Sequence, residues 1–164
     1  MKKILMGIDY GDVRTGLAVC DALGLLASGV GTVTATGKKD LVRQILDLAG
    51  RYGAEAFVMG DPINMNGTVG ERSEKVRRFA AFLRSESGKP VILIDERCTT
   101  MAAHRFLNET GTHGKKRKAV VDTLSAQIIL QNYLDSHPDG PTAAELSASS
   151  AGNAAPSDEK TEKD

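Results

Sequence analysis

Tryptophan is absent from the 164 residues, and phenylalanine and tyrosine together number only seven. Without a dense set of aromatic platforms, the chain carries no recognisable single-strand stacking motif, and base-specific selection cannot be derived from it. Cysteine is scarcer still. Cys20 and Cys98 lack zinc-ligand spacing and accompany no export signal, so they read as reduced, small apolar residues rather than a disulfide framework. Net charge is also missing, with 21 basic and 21 acidic residues cancelling, which excludes a polybasic binder held by phosphate neutralisation alone. No apolar run is long enough to span a membrane, and the stretch after Met1-Lys2-Lys3 is broken at Asp9 without a cleavage site. A cytoplasmic protein with no membrane partner is the expectation.

The charge that is present is unevenly placed. Residues 137–164 hold six acids against two lysines, which leaves residues 1–136 with about four net positive charges, permissive for a phosphate-bearing partner. At 41% hydrophobic content, the chain supports one α/β core and not two large lobes. The expected division is one catalytic domain over 1–136. Beyond it, 137–164 reads as a disordered acidic tail, because Leu146 is its one strong hydrophobe.

Short apolar runs at 4–8 and 16–20 flank Asp9-Tyr10-Gly11-Asp12 and read as two strands joined by a turn, with Leu25 to Val33 as a third. Leu41, Val42, Ile45, Leu48 and Ala49 fall at helical spacing up to Tyr52, with Gly53 at the position of a left-handed cap. A buried strand over 54–60 leads into a loop, Asp61 to Gly67. Thr68 and Glu71 fit a capping box for a helix through Leu83 that ends near Gly88. Pro90 precedes a strand at Val91 to Ile94, and Thr99 or Thr100 can cap a helix through Leu107. A basic connection, Gly111 to Lys118, leads to a last helix from about Ala119 to Leu134. Alternating strands and helices make an α/β sandwich.

Three acids stand at the ends of these elements. Asp9 terminates a strand between two glycines, where a turn residue and a metal ligand fit equally well. Glu96 follows the strand ending at Ile94, and Asp122 lies in the first turn of the expected last helix, where the macrodipole by itself favours an acid. Each has an ordinary structural reading. As a set of separated carboxylates without a His/Cys cluster, they suit Mg²⁺ or Mn²⁺, hard cations that take oxygen ligands and exchange waters for phosphate oxygens.

The motifs GIDYGDVRTG from Gly7, GDPINMNG at 60–67, DERCTT at 95–100 and KKRKAVVDTLSAQIILQNYL at 115–134 occur in that order. With them, the chain resembles the YqgF or RuvX type of candidate pre-16S rRNA nucleases and Holliday-junction-resolvase-like proteins, over roughly Lys3 to Leu134. The resemblance implies a ribonuclease H-like fold, with a mixed five-stranded sheet and helices on both faces. It also implies a catalytic and metal-holding set of Asp9, Glu96 and Asp122. Two Mg²⁺ or Mn²⁺ ions would then serve in-line phosphodiester hydrolysis, with Asp9 between them. Glu96 is preferred to Asp95 because successive residues leaving a strand face opposite ways. The sequence departs from the family pattern at Cys98, usually leucine-like, and at Asp61, commonly a small apolar residue.

Around these acids, Arg14, Asn64, Arg97 and the run Lys115, Lys116, Arg117 and Lys118 are candidate substrate contacts. Against each stands a salt-bridged arginine, a turn residue or a solvated charge run. The implied role is processing of the 5′ end of precursor 16S ribosomal RNA, with structured precursor rRNA as partner and ribosome association. Alternatives are cleavage of branched DNA as a Holliday-junction-type resolvase, or a non-catalytic RNA- or ribosome-binding module on the same fold. The GIDYG turn also resembles that of actin-like ATPases and sugar kinases, which need a second lobe that this length does not provide. Monomer and weak homodimer both stay open.

Overall fold

The computed structural model describes residues 2–95 and 114–151, with side chains of 114–119 and 148–151 outside that description. Five strands form one sheet: β1 (Leu5–Asp9), β2 (Arg14–Cys20), β3 (Ala27–Thr34), β4 (Ala56–Asp61) and β5 (Val91–Asp95), in the order β3-β2-β1-β4-β5. The meander β1-β2-β3 is antiparallel, whereas β1-β4 and β4-β5 are parallel. The parallel pairs require crossovers. Helix α1 (Lys38–Tyr52) and helix α2 (Glu71–Ser87) supply them.

Alternation along β1 sorts its side chains to two cores. Met6 and Ile8 join Leu17, Phe57 and Met59 beneath α1 and α2, whose Leu41, Val42, Ile45, Val76, Phe79 and Leu83 complete that layer. Leu5 belongs to the opposite layer, with Ala18, Ala56, Val58 and Ile92, covered by helix α3 (Gly114–Ser136) through Ala126, Ile129, Leu130 and Tyr133. The i, i+3, i+4 and i+7 spacing of those four residues puts them on one face of the helix. Both α1 and α2 end in left-handed glycines, Gly53 and Gly88, which have no Cβ to resist positive φ.

The α3 helix lies almost against the strands. A Cβ on Gly7 would come within 2.7 Å of Leu130 Cβ, and one on Gly16 within 1.9 Å of the Asp122 carbonyl oxygen. Only residues without side chains allow that approach. Polar contacts fix the helix lengthwise: Gln131 accepts from Ala27 N at 2.9 Å, Gln127 donates to Ala27 O at 3.1 Å, and Thr123 shares a 2.9 Å hydroxyl contact with Thr32.

Several boundaries differ from the sequence reading. The last helix begins at Gly114, not near Ala119, so Lys115 to Lys118 stand in helical backbone rather than a loop. Asp122 therefore lies beyond the first turn, where the macrodipole gives an acid little support. The expected Thr68–Glu71 capping box is not formed. The N-cap is Gly70, and Thr68 instead donates its hydroxyl to Asn66 Oδ1 at 2.7 Å. The stretch read as a disordered tail from 137 contains a helix, α4 (Ala143–Ala151). Its start is capped by Thr142, which accepts from Glu145 N while Glu145 accepts from Thr142 N and Oγ1, and His137 Nε2 lies 2.9 Å from Glu145 Oε1. This reciprocal capping closes the first turn of the helix. The expected helix from Thr99 to Leu107 lies outside the described residues.

Candidate active site

Asp9 ends β1 on the face that carries Leu5 and Gly7, and it pairs in register with Gly16 of β2. Because Gly16 lies directly beneath the Asp122 carbonyl, the helix brings a second carboxylate to the same strand end. Burial and the neighbouring Asp122 raise the Asp9 pKa to about 7, with Arg72 pulling the other way. A buried carboxyl held beside a second carboxylate is a place where a cation is favoured. Arg14, also at the α3-facing side of β2, donates from Nε to Asp122 Oδ2 at 3.0 Å and partly answers that need.

The structure thus brings together three of the residues singled out by sequence: Asp9, Asp122 and Arg14. Glu96, Arg97 and Cys98 lie outside the described residues, as do the side chains of Lys115, Lys116, Arg117 and Lys118. Among the described residues, no group of three or more His, Cys, Asp or Glu side chains is placed to hold a metal ion. Asp95 shares the parity of Val91, which packs in the α1/α2 layer, whereas Ile92 packs towards α3. That register takes Asp95 off the face of Asp9.

Asn64 serves the loop more visibly than a ligand. Its Nδ2 donates to Thr68 Oγ1 at 3.0 Å, its backbone N–H donates to Thr68 O at 3.0 Å, and its carbonyl accepts from Gly67 N at 2.8 Å. The loop between β4 and α2 is built by these bonds. It delivers Arg72, a residue the sequence reading passed over, to the neighbourhood of Asp9 in the first turn of α2. One turn later, Lys75 Nζ lies 3.9 Å from Asp12 Oδ1, tying α2 to the β1–β2 turn. The only local signal for Arg72 was its place just after a Gly-rich loop.

Asp61, the departure from the family pattern, is 3% exposed. It accepts hydrogen bonds from Ser73 Oγ and from Arg77 Nε, the latter at 2.9 Å, so its charge is answered within α2 and does not face the acids. Cys20 is a buried free thiol whose pKa burial pushes up, consistent with an inert apolar role.

Residues 3–136 match the family described as RuvX: Holliday junction resolvase. A candidate pre-16S rRNA nuclease of Clostridium novyi is 44% identical over 132 residues, covering 80% of this chain and 98% of the relative. One from Geobacillus kaustophilus is 47% identical over 136 residues, covering 80% and 96%. Among solved structures, T. thermophilus RuvC in complex with a Holliday junction substrate superposes with a TM-score of 0.54 at 16% identity, covering 84% of this chain and 96% of that one. That likeness agrees with the observed mixed sheet in giving a ribonuclease H-like fold.

Proposed function

Since the chain belongs to the RuvX family, we propose that it is a divalent-metal-dependent nuclease whose natural substrate is structured precursor 16S ribosomal RNA, cleaved at the 5′ end during ribosome maturation. The observation that carries this reading is the convergence of Asp9 and Asp122 at the carboxyl end of β1, over a glycine that lets α3 approach. The names of the curated relatives supply the substrate class.

Asp9 and Asp122 fit a divalent cation, because Asp122 and burial together make the ionised form of Asp9 costly and both side chains present hard oxygen donors. Glu96 completes the proposed set, with Mg²⁺ or Mn²⁺ as the ions and two of them as the expected number. Bound there, such ions supply Lewis acidity to the phosphate oxygens and lower the pKa of water. Arg14 holds Asp122 in place and, with Arg72, offers positive charge to a phosphodiester. Arg97 and the Lys115 to Lys118 run are proposed to extend that charge along the backbone of the nucleic acid.

Cleavage of branched DNA is the second reading, favoured by the family description and by the fold shared with RuvC. Incubating the purified protein with precursor 16S rRNA and with four-way DNA junctions, in Mg²⁺ or Mn²⁺, separates the two. RNA should be cut and Asp9→Asn should abolish cutting. Preferential junction cleavage would transfer the assignment to DNA. Cleavage by Asp9→Asn equal to the wild type would remove the catalytic assignment, and binding without cleavage in any metal would leave a non-catalytic RNA-binding module.

A further inference from the structure

The large apolar side chains left exposed among the described residues fall at the two ends of the sheet, and one group stands around the acids. Four lie at the far end, in the β2–β3 turn and at the close of α1. The other four are Val13 of the β1–β2 turn, Met65 and Val69 of the loop between β4 and α2, and Val120, two residues before Asp122 in α3. Because Ile8 of β1 pairs in parallel with Met59 of β4, both strands deliver the segments that follow them to the end where Asp9 stands. Exposed aliphatic residues gathered in one place mark a binding surface, whereas the same residues scattered singly would not.

Met65 is 70% exposed although the loop that carries it is braced. Asn64 donates from its backbone N–H to Thr68 O and from Nδ2 to Thr68 Oγ1, both at 3.0 Å, and Asn66 Oδ1 accepts from Thr68 N at 3.1 Å. These bonds join the residues on either side of Met65 and leave its side chain in water. A Cβ on Gly70 would lie 3.0 Å from Asn64 Nδ2, so the loop packs on the start of α2, which carries Arg72 and Lys75. Arg72 stands close enough for its charge to act on Asp9, and Lys75 meets Asp12, the neighbour of Val13, at 3.9 Å. Apolar tips and cations therefore share the rim of the acidic pair.

A nucleotide matches that combination, since it joins an apolar base face to an anionic phosphate. Aliphatic side chains pack on bases without reading their identity, and methionine is among the residues that enter base steps as wedges. We propose that Met65 and Val69, with Val13 beside them, pack against unstacked bases of the substrate next to the phosphodiester at the acids, while Arg72 and Lys75 take the flanking phosphates. This deepens the nuclease reading and rests on it for where the strand lies, although the contacts are made by residues apart from the acids. An unpaired or readily unstacked nucleotide becomes a requirement, independent of base identity. A chain with few aromatic residues gains another way to hold bases.

The test separates base from backbone. RNA strands carrying either 2-aminopurine or an abasic residue beside the cleavage position are titrated with wild type, Met65→Ser, Met65→Ser with Val69→Ser, Met65→Leu and Arg72→Gln. Wild type should bind the 2-aminopurine strand more tightly than the abasic one, with a fluorescence change, and a fully paired duplex more weakly than the single strand. The double variant should lose about five- to tenfold on the 2-aminopurine strand and almost nothing on the abasic strand. Met65→Leu should keep the wild-type preference, and Arg72→Gln should weaken both strands by a similar factor. Thermal melts confirm folding, and a double variant that fails to fold leaves Met65→Ser to decide. A wild type indifferent to the base overturns the proposal. So do serine variants that match wild type on every strand, the result expected if the rim serves a protein partner instead. Cleavage with no base dependence sinks the rim and leaves the nuclease standing. Base-dependent binding lost in the serine variants, with no cleavage in any metal, supports the rim and sinks the nuclease.

Discussion

The carbonyl oxygen of Asp122 lies 1.9 Å from where a Cβ of Gly16 would stand. The contact is between backbone and absent side chain, so neither partner can yield by rotating a χ angle. It sets how far α3 stands from the sheet, and hence how near Asp122 comes to Asp9, the register partner of Gly16.

Gly16→Ala should therefore lift the first described turns of α3, costing stability at the upper end of the ~1–3 kcal/mol typical of overpacking. Activity should be lost together with it. Urea denaturation reads the first effect. Gly50→Ala is the contrast, because a Cβ at that exposed position in α1 meets nothing within 4 Å. It should stabilise by about 0.5–1 kcal/mol.

Asp9 carries a pKa raised to about 7 from a usual 3.8. In metal-free protein, the folded chain holds a proton that the unfolded chain has released across that window, so stability falls as pH rises from about 4 to 7 and levels off above. Asp9→Asn should remove this slope. Its melting temperature should exceed the wild type's at pH 8 by roughly 5 °C and differ little at pH 4. Adding Mn²⁺ should raise the wild-type melt and not that of the variant. A wild-type melt flat between pH 4 and 7, after the remaining acids are accounted for by the variant's own profile, would contradict the burial of this carboxyl.

Arg14 competes with any cation for Asp122, since its Nε already donates to Oδ2 at 3.0 Å. Replacing it with glutamine should cost about 1 kcal/mol of stability or less. Divalent-ion affinity, followed by calorimetry, should rise as Asp122 is released. Cleavage should nevertheless fall, because the phosphate loses a positive neighbour. Tighter metal with slower turnover is the signature to look for.

Ser73 is fully buried and donates to Asp61, so Asp61→Ala leaves a hydroxyl without its acceptor. The expected loss is about 1–3 kcal/mol. Removing the hydroxyl as well, in Asp61→Ala with Ser73→Ala, should recover part of it. Chemical denaturation of the four-member cycle gives the coupling directly. Purely additive losses would mean the contact contributes nothing.

Much of this architecture was legible in local patterning. The runs at 4–8 and 16–20, the helical spacing from Leu41 to Ala49, the left-handed position of Gly53 and the helix end at Gly88 all emerge where alternation and capping placed them. Boundaries failed where local signals competed. Thr68 could cap a helix or close a loop with Asn64 and Asn66, and the denser loop network prevailed. Lys115 to Lys118 read as a connection because charge runs are usually solvated, yet lysine and arginine are good helix formers and the helix extends through them.

The sequence alone determined which residues could carry the chemistry, because hard-cation sites need carboxylates at element ends and four ordered motifs named the family. It could not say which of those acids meet. Asp9 and Asp122 are far apart along the chain, and only close packing of α3 across Gly7 and Gly16 sets their approach. The same is true of Arg72 beside Asp9. Contacts across separate elements depend on how two surfaces fit, and periodicity within one element contains no measure of that distance.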